Sequence, residues 1–201
     1  KDNLEHKFDG VCARYLDIKK RKRNIPDAIF IHGDSSKEIR TGQAAISERY
    51  RLISRAVFGE GSKDASILGR GVYPHYGRAA DGFDVCSVQF AIHYFFQTPD
   101  TLKGFMRNIA ECTKMNGYFI GTCYDGKLVF NKLKKIKTGE SIKIMEDERK
   151  IWEITKGYGA ETFDDDSSSI GYRIDVYQES INQTIAEYLV NFDYFNRVMT
   201  A

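Results

Sequence analysis

Apolar and polar positions follow two different periods along this chain. Residues 3–22 place Leu4, Phe8, Val11, Cys12, Tyr15, Leu16 and Lys19 at helical spacing, which predicts an amphipathic helix. Its end, Lys19-Lys20-Arg21-Lys22-Arg23, suits the negative end of a helix dipole, and Pro26 marks the turn that follows. AIFIHG (28–33) reads as a short strand stopped by Gly33-Asp34-Ser35-Ser36. Residues 42–58 read as a helix with Ala45, Ile46, Leu52, Ile53, Ala56 and Val57 on one face. FDVCSVQ (83–89) is the next strand. Pro99-Asp100 opens a helix through Lys114, with Leu102, Phe105, Met106, Ile109 and Ala110 inward. Asn116-Gly117 ends it, and YFIGTCY (118–124) is a third strand. Helices alternating with short apolar strands predict a parallel α/β sheet.

The last third has the other period. KIWEIT (150–155), GYRIDVY (171–177) and TIAEYLVNF (184–192) alternate as antiparallel strands do, and FDDDSSS (163–169) is an acidic loop between two of them. From Gly59 to Gly82 the composition shifts to six glycines (59, 61, 69, 71, 77 and 82), the mark of a loop or inserted connection.

Composition narrows the class. The 201 residues suit one domain or a domain with an appendage, and 42% apolar residues suffice for a core. A net charge of +2 argues against binding nucleic acid by bulk charge alone. Cys12, Cys86, Cys112 and Cys123 form no CxxC pair and read as reduced cysteines of an intracellular protein. No apolar run is long enough for a membrane span. The Lys-Asp-Asn start, with no initiator Met, suggests a domain cut from a longer chain.

Several residues carry candidate chemistry. GEG (59–61) and GRG (69–71) do not lead from a strand into a helix, as a phosphate cradle requires, so a flexible connection explains them better. Asp34 and Ser35 follow a strand, where the carboxyl ends of a parallel sheet line a crevice; they also suit a simple turn cap. FDVCSVQFAIHYFF (83–96) passes abruptly from strand to Gln89, His93 and Tyr94 among phenylalanines. Those groups suit a flat heteroaromatic ring, or else an aromatic core holding one satisfied histidine. The planar fork of Arg14 suits phosphate, whereas the KKRKR run reads chiefly as a solvated helix end. Glu187, alone in an apolar strand, needs a partner: an arginine elsewhere, or a ligand with adjacent N–H donors such as the Watson–Crick edge of guanine.

DNLEHKFDGVCARYL (2–16), IFIHGDSS (29–36), FDVCSVQFAIHYFF (83–96), MRNIAECTKMNGYFIGTCYDG (106–126) and IAEYLVNF (185–192), in this order, resemble the mRNA cap guanine-N7 methyltransferases, above all those of large DNA viruses and some protists. The resemblance implies a Rossmann-like S-adenosylmethionine-dependent methyltransferase fold with an antiparallel cap-side extension. It implies a single domain fragment over 1–201: a Rossmann-like part at 1–125, carrying the inserted connection 42–82, and a cap-side part at 126–201. A glycine-rich loop of the DLGCG type is absent from the sequence, as are final strands beyond Ala201.

By matched position, Asp34, Ser35, Gln89 and Phe90 are expected to contact S-adenosyl-L-methionine. Arg14, His93, Tyr94, Tyr124 and Glu187 are expected to hold the cap. Guanine N7 carries a lone pair and loses no proton on methylation, so positioning is expected to suffice without a general base. The implied partners are the capped RNA 5′ end and fused or associated triphosphatase and guanylyltransferase domains. The implied location is the nucleus or a cytoplasmic viral factory. Two other readings stay open: a non-catalytic cap-binding or partner-stabilising module, and a Rossmann-like methyltransferase for a small molecule.

Overall fold

The computed structural model describes residues 6, 10–22 and 24–200. They form two compact units, one ending at Phe83 and the other beginning at Asp84.

In the first unit, α1 (Val11–Arg21) starts after Gly10 and ends on the expected basic turn, Lys19-Lys20-Arg21. The expected helical positions Leu4 and Phe8, and Arg23 of the basic run, lie outside the described residues. The expected strand at 28–33 forms no ladder among the described residues. Its one partner is the turn at 44–46, through a single antiparallel bridge between Gly33 and Ala45. A strand needs a neighbour to take its backbone groups, and a turn offers only one such contact. Ile29 and Ile31 still pack on Ile53, Ala56, Leu68 and Val72, so the apolar reading of that segment holds.

Helix α2 (Glu48–Val57) begins later than the expected 42, because Gly42 sits at φ +79° in a turn and Ser47 caps the first helical N–H groups. The connection at 59–82 is not an empty loop. It carries a short helix, α3 (Ala65–Leu68), buries Leu68, Val72 and Ala79, and is held by Arg49, whose guanidinium donates to the carbonyls of Ile67 and Leu68.

The second unit holds the sheets. β1 (Phe83–Gln89) and β2 (Thr113–Thr122) pair side by side, joined by the crossover helix α4 (Pro99–Cys112). Gly117 lies against Asp84 and Gly121 against Val88, so the two strands run parallel. Helix α4 starts with Pro99 at its first position, as the sequence predicts, and a capping box between Thr98 and Thr101 closes that end. It stops at Cys112, two residues short of the expected end. β2 begins at once and accommodates Asn116 at φ +63° rather than turning there. Val88 and Phe119 on one face of this sheet pack on Ile92, Phe96, Phe105 and Phe195, while Val85, Tyr118 and Ile120 are exposed.

After α5 (Gly126–Leu133), four antiparallel strands follow in sequence order: β3 (Ser141–Glu146), β4 (Arg149–Lys156), β5 (Arg173–Gln178) and β6 (Gln183–Tyr188). Three of them match the expected alternating segments. β3 and α5 are not marked by the sequence pattern, because SIKIME and GKLVFNKL are too short to establish a period of their own. The cross-strand register puts Ile142, Ile154, Val176 and Ile185 in one row. Ile154, Ile174 and Val176 on that face are buried with Phe130, Leu133, Tyr158 and Leu189. The chain closes with α6 (Phe192–Met199), capped by Asn191.

Candidate functional site

At the carboxyl end of β1 the chain leaves the sheet through Phe90, a non-glycine residue at φ +49° whose ring is exposed. Its N–H donates to the Thr122 carbonyl (2.8 Å), so this left-handed residue is pinned to the end of the neighbouring strand. Gln89 is fixed there too. The Thr122 hydroxyl donates to Gln89 Oε1 (2.8 Å), and Gln89 Nε2 donates to Ser87 Oγ (3.0 Å). An amide and an aromatic ring thus stand at the carboxyl edge of two parallel strands, where ligands of open α/β sheets bind.

The next residues form a 3-10 turn, Ile92–Gln97, that buries Ile92 and Phe96 in the core and carries His93 between them. His93 lies against β6, and its Nε2 is 3.7 Å from Glu187 Oε1. Both residues are buried, with 4% and 5% of their surface exposed. Glu187 stands opposite Ile174 of β5, on the inner face of the antiparallel sheet.

The pair is close but not bonded. Both imidazole nitrogens of His93 and Oε2 of Glu187 are buried with no hydrogen-bond partner among the described residues. A buried polar atom left unpaired costs on the order of 1–3 kcal/mol, and here three such atoms lie together. Burial pushes the Glu187 carboxyl up to about 7 and the His93 imidazole down to about 4. Each group is therefore driven toward its neutral form.

Three neighbours complete the surroundings. The Tyr94 ring meets the His93 ring edge-on at 4.3 Å and is partly exposed. Burial raises its hydroxyl, and the Glu187 charge raises it further. Burial also pushes the Cys123 thiol up to about 12, helped by Asp125 and Glu187, so this cysteine is an inert wall. Half-buried Tyr124 follows it, and the Tyr124 hydroxyl accepts a hydrogen bond from Gln178 Nε2 on β5 (3.2 Å).

The second unit thus brings His93, Tyr94 and Glu187 together, holds Gln89 and Phe90 at the strand end, and ties Tyr124 to the antiparallel sheet. His93 is buried between the core residues Ile92 and Phe96, yet neither of its nitrogens has a hydrogen-bond partner among the described residues. Arg14, Asp34 and Ser35 lie in the first unit. Arg14 is exposed on α1. Asp34 Oδ1 accepts from the Ser36 N–H (3.0 Å) and hydroxyl (2.7 Å), and the hydroxyl bond holds its carboxyl below the ordinary range. The capping role of Asp34 is therefore real, and it leaves an exposed carboxylate edge. Gln178, Thr122 and Ser87 escaped the sequence reading. Only the pairing of distant strands brings them to the site, and no motif announces them. Among the described residues no cluster of His, Cys, Asp and Glu could hold a metal ion, and no helix is long and apolar enough to cross a membrane.

Comparison with known proteins gives a consistent picture. The model of the mRNA (guanine-N(7))-methyltransferase domain matches residues 5–201. The chain is 29% identical over 187 residues to a probable mRNA-capping enzyme of Acanthamoeba polyphaga mimivirus, covering 90% of this chain and 14% of that protein. It is 32% identical over 102 residues to the mRNA cap guanine-N(7) methyltransferase of Aspergillus niger, covering 44% of this chain and 17% of the relative. It is 33% identical over 58 residues to that of Schizosaccharomyces pombe, covering 29% and 16%. The chain therefore spans only a small part of the length of these relatives.

Proposed function

Because this chain belongs to the mRNA (guanine-N(7))-methyltransferase domain family, we propose that it holds the guanine of an mRNA cap at His93 and Glu187 for methylation at N7. The observation that carries this reading is the unsatisfied buried pair. Glu187 Oε2, when ionised, is an acceptor without a partner, and the guanine edge offers two adjacent N–H groups. His93, neutral above pH 4, keeps one N–H to donate and one lone pair to accept. Tyr94 supplies a ring beside them.

The roles divide by chemistry. Guanine N–H groups on the carboxylate draw Glu187 into its ionised form and repay its burial. Methylation leaves positive charge on the purine, and the Glu187 carboxylate, fixed nearby in a dry site, stabilises that charge as it develops. N7 needs no base, so the chain's task is orientation. Aligning two reactants can lower a barrier by up to about 7–11 kcal/mol.

S-adenosylmethionine, when bound, supplies an electrophilic methyl group on a sulfonium centre. Its adenosyl part suits the groups each unit offers separately: in the second unit the amide of Gln89 and the exposed ring of Phe90, and in the first the carboxylate of Asp34 and the hydroxyl of Ser35. Arg14, exposed on α1, suits a cap phosphate, and Tyr124 lines the cap side. Capped RNA is the partner that follows, with triphosphatase and guanylyltransferase activities elsewhere in the same protein or assembly.

Binding of dinucleotide caps to this chain tests the reading. GpppG is expected to bind and ApppA to bind far more weakly, because adenine presents an acceptor where guanine presents its N1–H. Equal affinity for the two would refute it. His93→Ala is expected to weaken GpppG binding without a matching loss of stability; a large fall in melting temperature with affinity tracking folded protein would return His93 to a structural role.

A further inference from the structure

The face of the antiparallel sheet that carries Glu187 does not end at Glu187. The register arranges it in three rows across the strands. Lys156, Ile174 and Glu187 form the first row. Ile142, Ile154, Val176 and Ile185 form the second, and Ile144, Trp152, Gln178 and Gln183 the third. Burial falls along these rows. The first is fully buried, and the second is buried in its middle and half-buried at its ends. In the third, Trp152 and Gln178 are half-buried while Ile144 and Gln183 are exposed. The sheet thus runs from a closed pocket onto an open shelf.

We propose that this shelf, built by Trp152, Ile144, Gln178 and Gln183, holds the nucleoside joined to the cap guanine through the triphosphate, that is, the first nucleotide of the RNA. The proposal rests on the cap-guanine reading of Glu187. Four observations carry it. First, the shelf shares the sheet and the face of the pocket: the two are joined along β6 past half-buried Ile185, and Gln178 donates directly to Tyr124. Second, its distance is right. Two rows are four residues along a strand, about 13 Å, a span that suits a triphosphate-linked dinucleotide. Third, its chemistry is neutral. An indole, an isoleucine and two amides offer a stacking surface and hydrogen-bond groups for a base and sugar. Lys156 and Glu187 are buried in the first row, and the next charged pair on this face, Glu146 and Arg149 beyond the shelf, is tied up in its own ion pair. That composition suits a nucleoside rather than a phosphate, and a ring face accepts any base. Fourth, it is made of four side chains, two of them half-buried, whereas a stable protein interface takes about 20–30 residues a side.

Trp152 is the chain's one tryptophan, so the shelf carries its own reporter. GpppA is expected to quench the intrinsic fluorescence, whereas GTP, with the guanine and triphosphate but no second nucleoside, is expected to bind without comparable quenching. In calorimetric titrations, Trp152→Ala is expected to weaken GpppA at least about fivefold, the lower end for loss of one base–aromatic stack, and to leave GTP unchanged. Trp152→Phe, which keeps a ring, is expected to restore most of the difference and covers the case in which the alanine variant folds poorly. Glu187→Gln is expected to weaken both ligands. Equal quenching by GTP and GpppA, or an equal loss of both ligands in Trp152→Ala and Trp152→Phe, would overturn the shelf while leaving the guanine pocket standing. If neither ligand binds the unaltered chain, the pocket reading falls and the shelf falls with it.

Discussion

Replacing Glu187 with glutamine should make the free protein more stable and the site worse, and the two signs together separate a binding carboxylate from a structural one. Burial raises the folded-state pKa of Glu187 from 4.5 to about 7. Below pH 4.5 the carboxyl is protonated whether the chain is folded or not, so it exacts no ionisation cost. As the pH rises from 4.5 to 7 the unfolded chain releases this proton while the folded chain keeps it, and stability falls. Above about pH 7 both states are ionised and the full cost remains. A shift of this size corresponds to on the order of 3 kcal/mol. Glutamine has no such titration. Glu187→Gln should therefore match the parent near pH 4.5 and exceed it by about 1–3 kcal/mol at pH 8, the lower figure allowing for relaxation around the ionised group. Binding moves the other way, because a carboxylate accepting two N–H bonds gives way to an amide that points N–H groups at N–H groups. Loss of hydrogen bonds to a charged group costs about 1.5–3 kcal/mol, or roughly ten- to a hundredfold in affinity. Urea denaturation at pH 5 and pH 8, with GTP titrations at pH 8, reads both effects. A variant less stable than the parent at pH 8, or one that binds GTP undiminished, would refute the reasoning.

Other predictions follow from the same geometry. Guanine affinity should rise with pH as Glu187 ionises: about tenfold from pH 6 to pH 8 around a midpoint near 7, with Glu187→Gln flat over that range, as calorimetry with GpppG would show. Gly126→Ala should cost about 1–3 kcal/mol or more in denaturant unfolding, because a Cβ at Gly126 would lie 2.3 Å from the Val190 carbonyl oxygen, a backbone atom that cannot step aside. Asn191→Ala should cost about 1–3 kcal/mol in the same assay. Asn191 is wholly buried, donates to the Asp164 carbonyl (2.9 Å) and Asp165 Oδ1 (3.0 Å), and caps α6 by accepting from the Tyr194 N–H.

The sequence by itself determined the local character of most elements. The helical period and the Pro99-Asp100 start give α4, and the alternation at 150–155, 171–177 and 184–192 gives three antiparallel strands. It also marked Glu187, because a carboxylate inside an apolar strand is a conflict visible without any structure, and it marked the break after Val88 where Gln89, Phe90, His93 and Tyr94 leave the sheet. The tertiary structure decided what those residues meet. That His93 stands 3.7 Å from Glu187, with neither satisfied, depends on β6 lying beside the 3-10 turn after β1. That Trp152, Gln178 and Gln183 form one row depends on the register of three strands, which local sequence leaves open. The segment at 28–33 shows the same limit from the other side: apolar and strand-like, it forms a single bridge, because a strand is made by its neighbour. Side-chain period is a property of a few adjacent residues, whereas a site is assembled by backbone pairing between segments far apart in the chain.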